Sequence, residues 1–538
     1  MQGLMMDVPL LLSMLLEHAD RHHGDTEIVS KTVEGTVHRY TYRAAHARAR
    51  RLANALKRLG VAPHDRVATL AWNGYRHFEI YYAVAGSGAV IHTINPRLFP
   101  DQIAYIANHA EDKVVFYDAT FAPLVEKLKP QVKTVKHWIA LGDPYEDLLN
   151  KENDAFDWPS FDERTAACLC YTSGTTGNPK GALYSHRSSM LHAYGAALPD
   201  ALNISACDVV LPVVPMFHVN AWGLPYSCAL TGAKMVFPGP HLDGKSLHEL
   251  FEAEGVTMSA GVPTVWLGLL NYMKEKKLRF STLKSVVIGG SACPPAMTRA
   301  FQEDFGVRVL HAWGMTEMSP LGTSCTFKTK HAKWTKEERY ALQNKQGRAI
   351  FGVDLRIVGE DGGELPWDGK AFGNLEVRGP WVIKSYFKGE GGDPLHADER
   401  QQGWFPTGDV VTIDPDGYIQ VTDRSKDVIK SGGEWISSID LENIAVAHPA
   451  IAEAAVIGVK HPKWDERPIV VAVKKPGQDV SREDLLKFYE GKVAKWWMPD
   501  DVVFVPELPH TATGKLSKLA LRQQMKDYRL AAADAGRQ

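Results

Sequence analysis

The chain has 538 residues, several times the length of a typical domain, so we expect at least two domains. Hydrophobic residues make up 45% and charged residues 23%, a globular composition that excludes an intrinsically disordered chain. The 61 basic and 63 acidic residues give a net charge of −2, which excludes a general electrostatic attraction to nucleic acid or to an anionic membrane. Partners must therefore be inferred from local sites.

The N-terminal segment and the cysteines indicate the compartment. Residues 1–16 are apolar, but Asp7 interrupts them and no basic segment precedes them, so they predict an amphipathic helix rather than a signal peptide. No run reaches the roughly 18 apolar residues that an integral membrane segment needs. Cys168 and Cys170 lie in a strand-like run, and the six cysteines do not form a zinc or disulfide pattern. A reduced, cytoplasmic protein is expected.

Helical and strand patterns alternate from residue 43 onward. A helix at 43–59 ends at Gly60, and a strand at 66–71, a helix at 75–87 and a strand at 89–93 follow. Further short apolar strands are predicted at 113–117, 209–212, 234–237, 285–288 and 308–310. This alternation predicts an α/β architecture of stacked, mostly parallel sheets.

The pattern changes after about residue 345. Strands at 354–358, 374–377, 410–413 and 418–421 are separated by Gly, Asp and Pro turns, which predicts an antiparallel, β-barrel-like part. Beyond residue 423, strands at 454–459 and 469–473 and helices near 439–447 and 482–492 predict a compact α+β unit. We therefore expect a large N-terminal domain at 1–423 and a smaller C-terminal domain at 424–538. The joint lacks a low-complexity linker and would act as a hinge.

The strongest local motif is the loop at 171–181, Tyr-Thr-Ser-Gly-Thr-Thr-Gly-Asn-Pro-Lys-Gly, which follows an apolar strand. Its glycines and hydroxyl groups provide donors that can surround phosphate oxygens, and Lys180 adds a positive charge. A Walker A loop ends in Gly-Lys-Ser/Thr, whereas here Pro179 precedes the lysine and Gly181 follows it. A surface loop without a ligand has a similar composition, so the composition of the loop does not by itself identify a phosphate site. The downstream segments distinguish the two possibilities.

The loop resembles the hallmark loop of the adenylate-forming superfamily, which contains acyl-CoA synthetases, peptide-synthetase adenylation domains and luciferases. Four further motifs follow in the family's order: Pro-Met-Phe-His at 215–218, His-Ala-Trp-Gly-Met-Thr-Glu at 311–317, Trp-Phe-Pro-Thr-Gly-Asp at 404–409 with Asp-Arg-Ser-Lys-Asp at 423–427, and Pro-His-Thr-Ala-Thr-Gly-Lys at 509–515. The resemblance spans essentially the whole chain. It implies that ATP, Mg²⁺ and coenzyme A act with a small carboxylic acid.

The resemblance also implies an ATP site. The phosphate-loop matches are Thr172, Ser173, Gly174, Thr175, Thr176, Gly177 and Lys180, and the adenine-side matches are Gly290, Ser291, Ala292, His311, Ala312, Trp313, Gly314 and Met315. Thr316 matches the α-phosphate contact, and Glu317 matches the Mg²⁺ ligand, in keeping with the preference of a hard cation for oxygen. Asp409 matches the acid that binds both ribose hydroxyls, and Arg424 matches a second nucleotide contact.

Two positions in this set concern the chemistry directly. Trp313 stands where the family most often has tyrosine, so we expect the hydrogen bond of a phenol to be lost there. Lys515 matches the lysine that bridges the carboxylate and the α-phosphate, where a cation offsets the repulsion between two anions. The resemblance thus assigns catalytic roles to Lys515, Glu317, Thr172 and His218.

Residues 217–223 and 431–438 resemble medium- and long-chain fatty acyl-CoA synthetases and 3-methylmercaptopropionyl-CoA ligases. In that branch Trp222 would gate an acyl tunnel and His218 would lie beside the carboxylate. We expect the acyl pocket to be completed by Val262, Pro263, Thr264 and Trp266. The C-terminal domain would rotate about Lys426, and the residues expected along the path of coenzyme A are Lys430, Ser431, Gly432, Gly433 and Trp435.

These expectations describe an acid–thiol ligase that forms an acyl-AMP and then an acyl-CoA. The acid is either a medium-chain fatty acid or a short thioether acid such as 3-methylmercaptopropionate. A carrier-protein acceptor and a luciferase-like oxygenation are the alternatives. The sequence leaves a homodimer open as the assembly state.

Overall fold

The computed structural model describes residue 1 and residues 3–172, 178–395, 403–425, 427–431, 434–510 and 516–530, apart from the side chains at 434 and 435. The helices are α1 Ser13–His23, α2 Tyr42–Arg58, α3 Tyr75–Gly86, α4 Pro100–Ala110, α5 Ala122–Leu128, α6 Asp143–Asn150, α7 His186–Ala197, the short turn α8 Val219–Trp222, α9 Leu224–Thr231, α10 Gly244–Glu254, α11 Pro263–Lys276, α12 Pro295–Arg299, α13 Lys336–Gln343, α14 Ser438–Val446, α15 Arg482–Tyr489 and α16 Lys518–Gln524.

The strands are β1 Glu27–Lys31, β2 Val37–Thr41, β3 Arg66–Leu70, β4 Val90–Thr93, β5 Asp112–Asp118, β6 His137–Leu141, β7 Ala166–Tyr171, β8 Gly181–Ser185, β9 Val209–Pro212, β10 Lys234–Phe237, β11 Met258–Gly261, β12 Ser285–Ile288, β13 Arg308–Gly314, β14 Leu321–Ser324, β15 Gly347–Ala349, β16 Asp354–Val358, β17 Gly373–Arg378, β18 Phe405–Ile413, β19 Tyr418–Arg424, β20 Ile429–Ser431, β21 Glu434–Ile436, β22 Ile451–His461, β23 Asp465–Lys474 and β24 Asp501–Phe504. They form three sheets of six, thirteen and five strands.

The six-stranded sheet has the order β6-β5-β3-β4-β7-β8. All its neighbours run parallel except the β7–β8 hairpin. The loop at 171–181 connects the two strands of this hairpin. The predicted parallel sheet is confirmed, and it holds the two ends of the phosphate loop next to each other.

The thirteen-stranded sheet has a parallel half and an antiparallel half. β1, β10, β9, β11, β12 and β13 pair in parallel. Pairing becomes antiparallel from β13 to β14 and continues through β15, β19, β18, β17 and β16. The predicted antiparallel part is therefore present, but its strands continue the large parallel sheet.

Four neighbouring parallel strands place the motifs together. β13, β12, β11 and β9 are adjacent in the large sheet. Their carboxyl ends lead directly into the segments at 315–317, 289–293, 262–264 and 213–218. Because the carboxyl ends of parallel strands meet at one edge of a sheet, segments separated by more than 100 residues converge there.

The C-terminal unit has its own sheet and core. β21, β20, β23 and β22 are consecutive, and β24 pairs with β23. Two apolar clusters, centred on Val470 and on Val471, lie on opposite faces of this sheet, because neighbouring strand residues point to opposite sides. The predicted α+β character is confirmed for this unit.

The N-terminal segment differs from its prediction. The first helix begins at Ser13 rather than within residues 1–12, and Leu4, Met5 and Met6 are exposed. Pro9 accounts for the difference, because proline lacks a backbone donor and disfavours helical geometry in the residue before it. Across the described residues, no helix is long and apolar enough to cross a membrane.

Candidate functional site

The ends of the phosphate loop are joined by hydrogen bonds. The Thr172 amide donates to the Lys180 carbonyl at 2.8 Å, and the Lys180 amide lies 3.4 Å from the Thr172 hydroxyl oxygen. Five of the predicted phosphate contacts, Ser173, Gly174, Thr175, Thr176 and Gly177, lie outside the described residues. The described ends fix where the loop leaves and rejoins the sheet.

A second segment packs against this loop. The Lys180 ammonium lies 5.0 Å from the centre of the Tyr386 ring. The Tyr171 hydroxyl lies 2.6 Å from His109 Nδ1, and His109 Nε2 lies 3.6 Å from Glu390. Burial lowers the pKa of His109, and Glu390 opposes that shift. The segment beginning at Tyr386 therefore covers the base of the phosphate loop through a polar network.

Glu317 lies at the carboxyl end of β13 in a one-turn 3₁₀ helix. Only 7% of its surface is exposed, and the Tyr386 hydroxyl donates to its Oε1 atom at 2.7 Å. Tyr184 fixes the same turn by donating to the carbonyl of Thr316. The turn is thus held on both sides, and the second carboxylate oxygen of Glu317 is the one left for a cation.

The donor set fits magnesium. Mg²⁺ usually takes one or two protein carboxylates and completes its shell with water and substrate phosphates. Among the described residues, no group of three or more His, Cys, Asp and Glu side chains could hold a metal ion. The buried carboxylate of Glu317, which shares Tyr386 as a neighbour with Lys180, matches the first requirement.

The predicted adenine shelf follows β12. Gly290 has a φ of 78°, a left-handed conformation that favours glycine. The Cys293 amide donates to Nε2 of His311, a buried residue on β13, at 3.2 Å. Burial lowers the pKa of His311 to about 4, so the ring is neutral near pH 7 and can accept this bond. His311 therefore supports the shelf from behind, while Ala312 and Gly314 continue β13 beside it.

The predicted ribose site contains a hydrogen bond that the sequence did not predict. Asp409 is 3% exposed, and its Oδ1 atom lies 2.8 Å from Nε of Arg424 on the neighbouring strand. The Trp313 indole N–H donates to Asp409 Oδ2 at 2.8 Å. Trp313 lacks the hydroxyl group of a phenol, but its indole nitrogen makes a hydrogen bond of its own.

The acyl-side loop has an unusual backbone. Val219, Asn220, Ala221 and Trp222 have φ values of 46°, 51°, 51° and 57°. Each such L-residue costs about 1–2 kcal/mol relative to right-handed geometry, so surrounding contacts must hold the turn. Asn73 anchors the segment before the turn: its side chain donates to the carbonyls of residues 212 and 214 at 2.8 and 2.9 Å and accepts from the residue 216 amide at 2.6 Å. Within the turn, the Ala221 amide donates to the carbonyl of residue 215 at 3.2 Å. This turn carries Trp222 and follows His218.

Trp222 reaches the adenine shelf. It is half-buried, and a Cβ atom built on Gly289 would lie 3.2 Å from its ring and 3.0 Å from the Ala312 carbonyl oxygen. Gly289 therefore lets the indole and the shelf approach each other. The residues predicted for the acyl pocket and for the adenine site meet at this glycine.

The other predicted acyl-pocket residues divide into two groups. Val262 connects β11 to α11, and Pro263 and Thr264 are the first residues of α11, at the edge where the site residues converge. Trp266 has no exposed surface and packs edge-on against Phe301 in a separate hydrophobic core. Its position argues against a role in the acyl pocket.

Polar contacts surround the domain joint. The buried Asp423 carboxylate accepts from the amide of Ser438 at 3.2 Å and from its hydroxyl group. The Lys518 ammonium lies 2.8 Å from Glu442 and 3.8 Å from Asp423. Arg522, one turn further along α16, pairs with Asp427. Both acidic residues that flank the proposed hinge are thus bound by the helix that follows Lys515.

The predicted coenzyme A segment is partly described. The Lys430 ammonium lies 2.7 Å from Glu360 in the N-terminal domain, and the buried Ser431 hydroxyl lies 3.1 Å from Arg467. Lys426, Gly432, Gly433, Lys515 and the side chain of Trp435 lie outside the described residues. A cavity of about 480 Å³ opens beside the shelf, between Cys293 and Asn443 of α14.

Some contributing residues gave no local signal in the sequence. Tyr386 contacts Glu317 across 69 residues, and Asn73 reaches Met216 across 143 residues. Tyr184 and His192 likewise act through contacts that only the fold creates: His192 accepts from the Leu321 amide at 3.1 Å. A buried polar side chain within an apolar element is the one feature that could have suggested them.

The two sheets bring together a hairpin rich in glycine and hydroxyl residues, two buried carboxylates and an apolar loop. This combination is the one expected of a nucleotide-binding enzyme of the adenylate-forming class. Residues 15–387 match the AMP-binding enzyme family, and residues 440–515 match the AMP-binding enzyme C-terminal domain. The chain belongs to this family.

Individual relatives narrow the comparison. The 3-methylmercaptopropionyl-CoA ligase of Ruegeria lacuscaerulensis is 55% identical, with 98% of this chain and 99% of that protein covered. The medium-chain-fatty-acid–CoA ligase of Ectopseudomonas oleovorans is 50% identical, with 98% of each covered. The crystal structure of the anthranilate CoA ligase AuaEII with anthranoyl-AMP superposes with a TM-score of 0.86 at 25% identity, covering 98% of this chain and 99% of that one. The shared architecture thus includes both domains.

Proposed function

We propose that the protein activates a carboxylic acid with ATP and transfers the acyl group to coenzyme A. In the first step the carboxylate displaces pyrophosphate from ATP and forms an acyl-AMP. In the second step the thiol of coenzyme A attacks the acyl carbon, releasing AMP and a proton. The AMP-binding family membership and the CoA ligases among the relatives support this reaction.

The contact at Gly289 carries the proposal. An adenine shelf and an acyl-side tryptophan meet there, with space for no side chain between them. An acyl-adenylate needs its adenosine and acyl parts on either side of the α-phosphate. Thr316 follows β13, the strand beside β12, and its hydroxyl would contact that phosphate. This arrangement favours joining a nucleotide to an acid.

Different residues would bind different parts of the substrates during adenylation. Thr172, Lys180 and the rest of the phosphate loop would hold the β- and γ-phosphates, and Thr316 would contact the α-phosphate. Lys515 would bridge the α-phosphate and the acid, because two anions must approach each other. His218 would lie beside the substrate carboxylate. Mg²⁺ held by Glu317 would neutralise phosphate charge when bound.

Thioester formation requires a different set of residues. After pyrophosphate leaves, the C-terminal domain would rotate about Lys426 and bring residues 430–435 to the path of the thiol. Gly432 and Gly433 would allow close passage of the pantetheine arm because glycine has no side chain. Coenzyme A is the acceptor that the family relationship favours over a carrier protein or an oxygenation reaction.

The substrate we propose is a short or medium-chain acid without a second charge, with 3-methylmercaptopropionate as the leading candidate. The 55% identity to a 3-methylmercaptopropionyl-CoA ligase and the crowding by Trp222 support this choice. Medium-chain fatty acids are the second candidate because of the 50% identity to a medium-chain ligase. We place the reaction in the cytoplasm, where ATP and coenzyme A occur and where all six cysteines would stay free thiols.

Release of AMP tests the function. The purified enzyme is given ATP, Mg²⁺ and each of 3-methylmercaptopropionate, butyrate, hexanoate, octanoate and palmitate, with and without coenzyme A. We expect turnover only with coenzyme A, one acyl-CoA per AMP, and the highest kcat/KM for 3-methylmercaptopropionate. The proposal would be contradicted if AMP were released at the same rate with and without coenzyme A, or if light were emitted and an oxidised product formed. A higher kcat/KM for octanoate would support the proposed reaction but identify a medium-chain fatty acid as the substrate.

A further inference from the structure

Trp313, Asp409 and Arg424 form a fixed arrangement around one carboxylate. Asp409 and Arg424 face each other on adjacent strands β18 and β19. Arg424 lies 2.8 Å from Oδ1 of Asp409, and the Trp313 N–H donates to Oδ2 at 2.8 Å. Each oxygen of a carboxylate can accept more than one hydrogen bond. Both oxygens therefore keep capacity for a second donor.

The indole has little freedom to turn away from Asp409. Its exposed fraction is 8%, and it packs over Gly322, where a built Cβ atom would lie 2.6 Å from ring atom Cζ3. Gly322 lies on β14, whose next residue, Thr323, pairs with Trp313. A glycine on the neighbouring strand thus makes room for the ring, and the ring's position fixes the direction of its N–H.

The chemistry of indole gives this contact one direction only. An indole N–H is a donor and never an acceptor, whereas a phenol can be either. Trp313 therefore always presents a donor to Asp409 and holds one lone pair of Oδ2. The remaining lone pairs of the two oxygens are left for a pair of hydroxyl groups.

We propose that Trp313 is a positioning residue that orients the Asp409 carboxylate toward the two ribose hydroxyls of ATP. The inference rests on the proposed function, in which Asp409 binds the ribose. It assigns Trp313 a role in sugar selection that is separate from stacking on the base. The two roles make different predictions for nucleotide analogues.

The test compares ATP with 2′-deoxy-ATP as substrates. Trp313→Phe keeps an aromatic ring and removes the N–H. A hydrogen bond to a charged group contributes about 10- to 100-fold in binding. We therefore expect this variant to lose about tenfold or more in kcat/KM for ATP and much less for 2′-deoxy-ATP. The ratio of kcat/KM for ATP to that for 2′-deoxy-ATP would fall toward one.

Two controls distinguish the possible outcomes of this experiment. The ratio is measured on a single preparation, so a loss of folded enzyme cancels out of it. Asp409→Asn should lower the same ratio; if it does not, the ribose role of Asp409 is wrong. If Asp409→Asn lowers the ratio but Trp313→Phe lowers kcat/KM equally for both nucleotides, the positioning role is overturned. If the substitution instead changes only the ratio of kcat/KM for ATP to that for inosine triphosphate, Trp313 recognises the base, and the positioning role is also overturned.

Discussion

The hydroxyl group of Tyr386 donates a hydrogen bond to Oε1 of Glu317 at 2.7 Å. The same tyrosine presents its ring to the ammonium of Lys180 at 5.0 Å. One side chain therefore touches both the proposed Mg²⁺ ligand and the proposed phosphate-binding cation. Because Tyr386 occupies one oxygen of the carboxylate, it limits the orientations that Glu317 can adopt.

Tyr386→Phe should raise the concentration of Mg²⁺ needed for ATP binding. The variant keeps the ring and loses the bond that orients Glu317, and we expect about a tenfold increase, the size of one hydrogen bond to a charged group. Tryptophan fluorescence during titration with Mg²⁺ at fixed ATP, without an acid substrate, measures the effect. Tyr75→Phe removes a comparable bond to Glu146 at 3.0 Å in a distant network and serves as the matched control. An equal shift in both variants would make the effect nonspecific.

Local patterns were sufficient to predict most strands and the α/β class. The run at 209–212, for example, is short and apolar and follows Asp208, and it forms β9 in the parallel half of the large sheet. The predicted runs at 234–237 and 285–288 likewise form β10 and β12. Such strands are buried on both faces, so their hydrophobicity identifies them without knowledge of the topology.

Other features depend on tertiary contacts and could not be predicted locally. The left-handed turn at Val219–Trp222 contains a β-branched valine, for which a positive φ is strongly disfavoured. Asn73, far away in the sequence, anchors the segment at 212–216 that leads into this turn. The hydrophobic periodicity of the sequence also does not show that β13 and β14 join the parallel half of the sheet to the antiparallel half. Motif resemblance located site residues such as Asp409, but it did not predict the donor from Trp313.

Lys515→Ala should separate the two half-reactions. Removing a cation that stabilises developing charge typically costs about 10²–10³ in rate, so acyl-AMP formation should fall by that amount. Thioester formation from supplied acyl-AMP should change little, since no phosphate attack occurs in that step. Pyrophosphate exchange and acyl-CoA release measure the two reactions.

Lys526→Ala, an exposed lysine in the same C-terminal segment, is the control for Lys515→Ala and should leave both rates unchanged. Equal loss of both half-reactions in Lys515→Ala would contradict a role confined to adenylation. It would indicate instead that the lysine supports the C-terminal fold.

Lys518→Met should destabilise the domain joint in a pH-dependent way. The substitution leaves Asp423 and Glu442 buried without the cation that now lies between them. Burial raises the pKa of both carboxyl groups, and Lys518 opposes that shift. A raised folded-state pKa adds stability at low pH that is lost as the pH increases through it. The deficit relative to wild type should therefore grow as the pH rises above the ordinary range of a carboxyl group.

Breaking a buried ion pair by removing one partner costs about 3–5 kcal/mol, which thermal unfolding at several pH values would detect at the joint. Lys518→Arg retains the charge and should recover most of the stability. A deficit in Lys518→Met that is independent of pH would show that lost packing, rather than the two carboxylates, causes it.

Trp222 is the side chain we expect to limit the length of the acid. It lies on the left-handed turn after His218 and contacts the shelf at Gly289. Tryptophan is the largest side chain, so its replacement by alanine should open space on the acyl side. Each additional methylene that enters this space would gain about 0.8 kcal/mol, or roughly fourfold in kcat/KM.

Trp222→Ala should therefore shift the substrate preference toward longer acids. The measurement is kcat/KM for butyrate, hexanoate, octanoate and decanoate with wild type and variant. Trp266→Phe is the control, because Trp266 is fully buried in a separate core and should affect stability without changing the chain-length profile. Collapse of the loop into the vacated space would instead lower activity on every acid together. An unchanged profile with unchanged activity would show that Trp222 does not face the acyl group.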